Sequence, residues 1–333
     1  MLLQSPHTLY TVVIINWNSW DYLFPCLDAL SRQTLQEFRI VVVDNASSDQ
    51  GPASRLRDYP QVTSIRNAEN IGFAAANNQA IERAADSEWI VLLNPDTLPE
   101  KKWLESLCQA AADHPEFSFF GSRLVMADNP KRLDGTGDVY HMSGLTWRSG
   151  HGLEVSAAGN QAREIFSPCA AAAMYRRQDL LAIGGFDEDF FCYNEDVDLG
   201  FRLRLAGLRA LSVPDAVVLH YGSGTTAVRS DFAVYHGHRN LVWTWFKNMP
   251  GVLLWLFFPA HVIYNIACIL LYVVRGQGAV ILRAKWDAVK GLLYIRAKRK
   301  KVQSQITCSL PSLWKIINKC LIVGPGTKHK QVS

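Results

Sequence analysis

The sequence predicts an α/β fold of the doubly wound kind: a mostly parallel sheet flanked by helices, followed by C-terminal helices of membrane-seeking composition. Three observations carry that expectation. LYTVVII (9–15), FRIVVV (38–43) and WIVLL (89–93) are short apolar runs without polar alternation. Runs of that length are typical of strands covered on both faces, as in a parallel sheet. Helix-period segments at 20–33 and 73–86 lie between them, and strand–helix alternation is the mark of an α/β domain. Each run also ends in polar residues: Asn16-Trp17-Asn18, Asp44-Asn45 and Asn94-Pro95-Asp96. Open α/β sheets bind ligands at the carboxyl edge of their strands. A turn explains any one such pair, but three coincident sets point to a site.

The remaining elements follow in order. Residues 120–170, rich in Gly, Asp and Asn, read as a long loop or insertion of the kind that often forms a functional lid. AAMYRRQDLLAI (172–183) reads as a helix closed by Gly184-Gly185, and EDVDLGFRLRLA (195–206) as another, stopped by Gly207. Two short strands are expected near 209–213 and at 216–220. No internal repeat or low-complexity tract interrupts the chain.

The chain has 333 residues, 49% hydrophobic and 19% charged, enough for a large core and apolar for a purely soluble enzyme. Its net charge of +4 is unevenly spread. From residue 275 onward there are 13 Lys/Arg and one acid (Asp287), so that segment carries +12 and the first 274 residues −8. A basic tail on an acidic body suggests an acidic partner for the tail alone, with anionic lipid head groups the first candidate and nucleic acid the second. The seven cysteines form no C-x-x-C pair, which argues against structural zinc and fits a reducing compartment. Residues 1–8 show no basic stretch followed by an apolar run, so no cleavable leader is expected and the body is expected to stay in the cytoplasm.

Three constellations could carry chemistry. Asn94-Pro95-Asp96-Thr97 puts a carboxylate after a buried strand, where it could either form an Asx turn or hold a hard cation. Mg²⁺ needs only one or two protein carboxylates when phosphate completes its shell. The stretch Phe186 to Asp198 packs six acids into 12 residues, interleaved with Phe190, Phe191 and Tyr193. Helix capping explains some of these acids. A carboxylate beside apolar rings can instead have its pKa raised and serve as a base. His220 ends the last apolar run and precedes Tyr221-Gly222-Ser223-Gly224. It is either structural or a group near a diphosphate, and the Gly-Ser-Gly loop could approach phosphate as a backbone nest. The G-x-G-x-x-G fingerprint and the Walker A lysine are both absent, which counts against a dehydrogenase or a P-loop enzyme.

Together these segments resemble glycosyltransferase family 2, with its GT-A fold, and within it the rhamnosyltransferase-like branch. The matching stretches run in order: VVIINWNS (12–19), VVVDNASSD (42–49), NAENIGFAAANNQA (67–80), LLNPDT (92–97), AAMYRR (172–177), GGFDEDFFCYNEDVDLGFRL (184–203) and His220. The resemblance implies that Asn16, Asp44 and Asn45 hold the nucleoside. It implies that Asn70, Gly72, Phe73 and Asn77 line the donor site. Asp96 matches the second acid of the metal-binding D-x-D motif, whose first acid is replaced here by Asn94. Asp196, within Glu195-Asp196, matches the base of an inverting transfer, and His220 matches a position that reaches the metal or diphosphate. The implied cofactor is a divalent cation, Mg²⁺ or Mn²⁺, with a weaker claim because Asn94 is neutral.

GVLLWLFFPAHVIYNIACILLYVV (251–274) is 24 residues long with no formal charge apart from a possible His261. As a helix it would reach about 36 Å, enough to cross a bilayer. A nucleotide-sugar enzyme and a basic tail both belong on the cytoplasmic side, however, and one crossing would separate them. The expectation is therefore an interfacial or re-entrant helix pair broken near Pro259, with 280–301 lying on the membrane as a basic amphipathic helix. A true span at 251–274 and a buried core helix are the alternatives. Residues 302–333 are uninformative apart from a short helix within 311–323.

The domain plan is a catalytic domain at 1–240, with a nucleotide-sugar half at about 1–100 and an acceptor half at about 101–240. Membrane-associating helices follow at 241–301, then the tail. The expected activity is inverting transfer of a sugar, rhamnose from dTDP-rhamnose preferred, to a lipid-linked or glycan acceptor in cell-surface polysaccharide assembly. Its expected place is the cytoplasmic face of a bacterial inner membrane, peripheral or monotopic, with no nucleic-acid partner. Asn94 favours one competing reading, a catalytically degenerate nucleotide-sugar-binding or scaffolding protein. A nucleotidyltransferase is the other, and the lack of a basic Gly-rich N-terminal loop argues against it.

Overall fold

A computed structural model describes residues 9–48, 51–222 and 230–320. The chain begins β1 (Tyr10–Asn16), α1 (Trp20–Ser31), β2 (Phe38–Asp44), β3 (Val62–Arg66), α2 (Phe73–Arg83), β4 (Trp89–Leu93), β5 (Thr97–Pro99), α3 (Trp103–Asp113) and β6 (Phe119–Met126). It continues with β7 (Leu133–Gly135), β8 (Asp138–Tyr140), β9 (Thr146–Arg148), β10 (Arg163–Ile165), β11 (Ala172–Arg176), α4 (Arg177–Ala182), α5 (Glu195–Leu205) and β12 (Ala210–His220). Four helices close it: α6 (Asp231–Asn248), α7 (Gly251–Val274), α8 (Gly278–Ser304) and α9 (Leu310–Ile316).

The main sheet is mixed, in the order β3-β2-β1-β4-β11-β6-β12-β10, with β5 added to β12 and β7 to β6. β1 is parallel to β2 and β4, and β2 to β3. β11 runs antiparallel to both β4 and β6, and β12 is parallel to β6. Two reversals restore direction, so β1, β2, β4, β6 and β12 all end at the same edge. The unalternating apolar runs are explained by two-sided burial. Val12 and Ile14 pack on one face with Leu23, Leu27 and Trp103, while Val13 and Ile15 pack on the other with Ala76, Ala80 and Leu199.

Four expectations are corrected. Residues 172–183 are not one helix: Ala172–Arg176 is strand β11 and only Arg177–Ala182 is helical. The alanines sit fully enclosed between β4 and β6, and that tertiary slot overrides their helical propensity. Residues 120–170 are not an open loop, since they carry most of β6 and all of β7 to β10. The two strands expected around 209–220 are a single strand, β12, whose register shifts between Val213 and Val217. Pro214 lies within that bulge, where a missing N–H is tolerated. Finally, α7 runs unbroken through Pro259.

The C-terminal helices share a core with the body. Trp245, Met249, Leu254 and Phe257 pack with Tyr140, Phe166, Phe201 and Leu205. Buried His261 stacks on Trp245 at 4.0 Å, and its Nδ1 lies 2.7 Å from the Ser143 carbonyl. This packing supports α7 across Pro259, where the helix lacks one backbone hydrogen bond. In the tail, the predicted helix within 311–323 appears as Leu310–Ile316, and residues 321–333 lie outside the described residues.

Candidate active site

Strand direction assembles the site. β1, β2, β4 and β12 deliver Asn16, Asp44, the Asn94–Asp96 turn and His220 to one edge of the sheet. β5 folds back on β12 with Thr97 opposite His220, which sets Asp96 beside the imidazole. β7 pairs with the end of β6, so Asp134 arrives next to them. A cleft of about 840 Å³ opens there. Its lining includes Asn45, Asn70, Gly72, Phe73, Asn94 and Asp96 together with Glu195, Asp196, Asp134, Arg148 and His220. A second hollow of about 910 Å³, walled by Arg32, Lys101, Lys102, Arg123 and Asp215, carries neither acid motif. The chemistry therefore belongs to the first cleft.

The two acid motifs, about a hundred residues apart, are stitched together by the backbone entering β11. The Asn94 amide donates to the Ala171 carbonyl at 2.9 Å, and the Ala170 amide donates to Asp196 Oδ2 at 3.1 Å. Asp196 Oδ1 also accepts from the Val197 amide at 2.8 Å. On the donor side, Asn45 is the hub. Its Nδ2 donates to Asn70 Oδ1 at 2.8 Å and its Oδ1 accepts from the Ile71 amide at 3.1 Å. Asn70 Oδ1 in turn accepts from the Gly72 amide at 2.9 Å. Gly72 has φ +86°, and a Cβ there would meet the Phe191 ring at 2.6 Å. Only glycine fits both that backbone and that contact.

Electrostatics separate the acids. His220 Nδ1 is 2.6 Å from Asp134 Oδ2 and its Nε2 is 3.5 Å from Asp96 Oδ1. Burial opposes the imidazolium, but the two carboxylates outweigh it and its pKa is raised. Asp134 is buried too, yet His220 and its Arg148 partner hold it down to about 2. Burial, then the neighbouring Asp196 charge, raises the Glu195 carboxyl well above the ordinary range, and Glu195 Oε2 has no hydrogen-bond partner among the described residues. Asp138 is pushed up in the same way.

The segment before α5 is strained. Phe191, Tyr193 and Asn194 have φ of 61°, 68° and 64°. Non-glycine residues in that region cost on the order of 1–3 kcal/mol each and persist only where the surroundings hold them.

Most residues singled out in the sequence meet at the cleft: Asn45, Asn70, Gly72, Phe73, Asn94, Asp96, Glu195, Asp196 and His220. Three do not reach its wall. Asn77 is buried, with its Nδ2 bonded to the Phe73 carbonyl at 2.8 Å. Asn16 and Asp44 are buried at the strand ends and bond Ser47, leaving Asn16 Oδ1 and Asp44 Oδ2 without a hydrogen-bond partner among the described residues. Ser223 and Gly224, the proposed phosphate nest, and Asp49 lie outside the described residues. Asp134, Asp138 and Arg148 were missed. The signal was the LDGTGD string, whose acids were absorbed into the supposed loop.

Among the described residues, no group of three or more His, Cys, Asp or Glu forms a ready metal cage. Asp96 and His220 nevertheless present a carboxylate oxygen and an imidazole nitrogen to one point. A Mg²⁺ or Mn²⁺ ion whose remaining sites are filled by diphosphate and water asks little more of a protein, so the donor set fits.

A mixed sheet with its polar edge over such a cleft is the architecture of the GT-A fold. The profile of "Glycosyl transferase family 2" matches residues 11–184, more than half of the chain, and the chain belongs to that family. It is 29% identical over 257 residues to N-acetylglucosaminyl-diphospho-decaprenol L-rhamnosyltransferase of Mycobacterium tuberculosis, covering 68% of this chain and 80% of that one. It is 26% identical over 233 residues to rhamnosyltransferase WbbL of Escherichia coli K12, covering 63% and 82%. The fold is similar to that of mannosyltransferase PcManGT from Pyrobaculum calidifontis, solved with GDP-Man and Mn²⁺. That match has a TM-score of 0.54 at 18% identity and covers 91% of this chain and 88% of that one.

Proposed function

We propose that this glycosyltransferase moves L-rhamnose from dTDP-L-rhamnose to a lipid-linked glycan, with inversion, during cell-surface polysaccharide assembly. The observation that carries the reading is the single cleft joining Asp96 and His220 to Asp196 through Ala170 and Ala171. The rhamnosyltransferases above support the choice of sugar.

In this reading the acceptor oxygen attacks the anomeric carbon and its proton passes to an Asp196 carboxylate oxygen. The bond from that carbon to the diphosphate oxygen breaks, and its electron pair leaves with the diphosphate. Burial raises the Glu195 carboxyl well above the ordinary range, and the base is assigned to Asp196, whose two oxygens accept from the Ala170 and Val197 amides. Asn45 and Asn70 hold the donor side, with Asn16 and Asp44 behind them toward the nucleoside. Asp96 and His220 would hold a divalent cation, whose chemistry is to neutralise charge on the leaving diphosphate. Asp134 fixes the His220 ring, as carboxylates do for ligating histidines.

The acceptor is reached at a membrane surface. Among the described residues one helix, α7, is long and apolar enough to cross a bilayer by length and composition. Its flank packs on the body through Leu253, Leu254, Phe257 and His261, which favours lying at the interface. Trp255, Ile263 and Leu270 of α7, with Trp286 and Leu293 of α8, leave a broad exposed apolar face. Lys290, whose ammonium lies over the Trp286 ring at 5.0 Å, and Arg283 on the same helix supply the basic charge expected at an anionic cytoplasmic leaflet.

The test is turnover by the purified chain with dTDP-L-rhamnose and N-acetylglucosaminyl-diphospho-decaprenol, the acceptor in the name of the Mycobacterium tuberculosis relative. Release of dTDP with formation of a disaccharide lipid is expected. EDTA should stop it and Mn²⁺ restore it. Asp196→Asn should lower turnover by about 10²–10⁴-fold. Full activity in that variant would sink the mechanism.

A further inference from the structure

Helix α6 lies beyond the family match at 11–184, yet it grips the strained segment that leads into Glu195-Asp196. Asn240 is fully buried, and its Nδ2 lies 2.8, 2.9 and 2.7 Å from the carbonyls of Phe190, Cys192 and Tyr193. Arg239 donates to the Asp189 carbonyl at 3.0 Å. The Gly237 carbonyl accepts from Asn194 Nδ2 at 3.0 Å. Lys247, 1% exposed, pairs with Asp187 at the front of the segment and with Asp198 inside α5, the latter at 2.8 Å. Lys298 of α8 pairs with both Asp187 and Asp189.

The grip spans the segment. Left-handed residues turn successive carbonyls out of any helix or ladder, and buried carbonyls must find donors elsewhere. The two hydrogens of the Asn240 amide are shared among three of them, of which the Phe190 carbonyl also accepts from the Cys192 amide at 2.7 Å. The Phe191 carbonyl points the other way and accepts from the Phe73 amide at 2.7 Å, so the same segment also touches the donor side. Asp196 comes two residues after the last strained position, so the path of the segment brings its carboxylate to the Ala170 and Val197 amides that hold it.

We propose that Asn240, Lys247 and Lys298 are positioning residues for the transfer. The C-terminal helices hold the strained segment 190–194 in the one path that aims Asp196 into the cleft. The proposal rests on reading Asp196 as the base.

Asn240→Ala, Lys298→Ala, Lys298→Arg and Asp196→Asn test it in the full chain, with kcat read as nucleoside diphosphate release from dTDP-L-rhamnose. Hydrogen exchange over 188–197 is followed on the same samples. Asn240→Ala is expected to lower kcat by a hundredfold or more, with donor KM within twofold and exchange of the segment at least tenfold faster. Lys298 is partly exposed, so its alanine variant keeps the fold. It is expected to lose three- to tenfold in kcat, restored by Lys298→Arg. If Asn240→Ala does not fold, the Lys298 pair decides. Unchanged exchange and unchanged kcat in Lys298→Ala overturn the proposal. Exchange decides where no release is seen in any variant. Full turnover in Asp196→Asn would instead overturn the reading of the base, whatever the clamp variants do.

Discussion

At the scale of single residues, Asp134 and His220 show how burial turns an ordinary ion pair into a pH-dependent one. Asp134 ordinarily titrates near 3.8 and is held at about 2. Its contribution is thus present above pH 3.8 and lost as pH falls toward 2, amounting to about 2 kcal/mol. His220 has the opposite sign. Its raised pKa stabilises the fold below about 6.5, and the gain is lost as pH rises through the folded value. Urea unfolding of wild type and Asp134→Asn between pH 2 and 5 should show a flatter acid limb in the variant. Equal slopes would remove the pair from the stability of the site. Glu195 makes a separate prediction. Its raised carboxyl favours the fold below its ordinary value and is a growing cost as pH rises through the folded one. Glu195→Gln should therefore gain stability relative to wild type at pH 8 but not at pH 4, read as a difference in Tm.

At the scale of elements, the site depends on close approaches between segments distant in sequence. Gly72 caps α2 against the Phe191 carbonyl and ring. Gly72→Ala must carry a Cβ 2.6 Å from that ring at a positive φ. A loss of about 1–3 kcal/mol in thermal unfolding is expected, together with weaker dTDP binding by calorimetry. Wild-type affinity and Tm would mean that the segment yields freely. Strand β11 makes the complementary point about legibility. AAMYR has the composition of a helix, and nothing local marks it as a strand. It is one because β4 and β6 leave a slot there. The strained stretch before α5 was visible only as a dense run of acids and rings, with no sign that α6 would hold it.

At the scale of the whole molecule, one face carries the cleft and the α7–α8 hairpin exposes an apolar face with a basic fringe. Burying a large apolar side chain is worth about 1.5–3 kcal/mol. Replacing both Trp286 and Leu293, 61% and 82% exposed, with serine should weaken binding to phosphatidylglycerol vesicles at least tenfold in sedimentation. Raised salt should weaken wild-type binding as well, because the basic fringe is screened. Undiminished binding by the double variant would place the membrane contact elsewhere.

The strand runs, their polar ends, the acid–aromatic stretch and the apolar helix could all be read from local composition and spacing, because each is a contiguous pattern that needs no partner to be recognised. From these came the α/β class, the family resemblance, and Asp96, Asp196 and His220 as a set. What only the tertiary structure decided is how those pieces meet. Two antiparallel crossings realign β12 so that His220 reaches Asp96, and β7 brings Asp134 to His220. Buried polar groups must be paired wherever the fold puts them. The partners that complete this site, Ala170, Asn240 and Lys247, were therefore chosen by three-dimensional proximity, which no stretch of sequence displays.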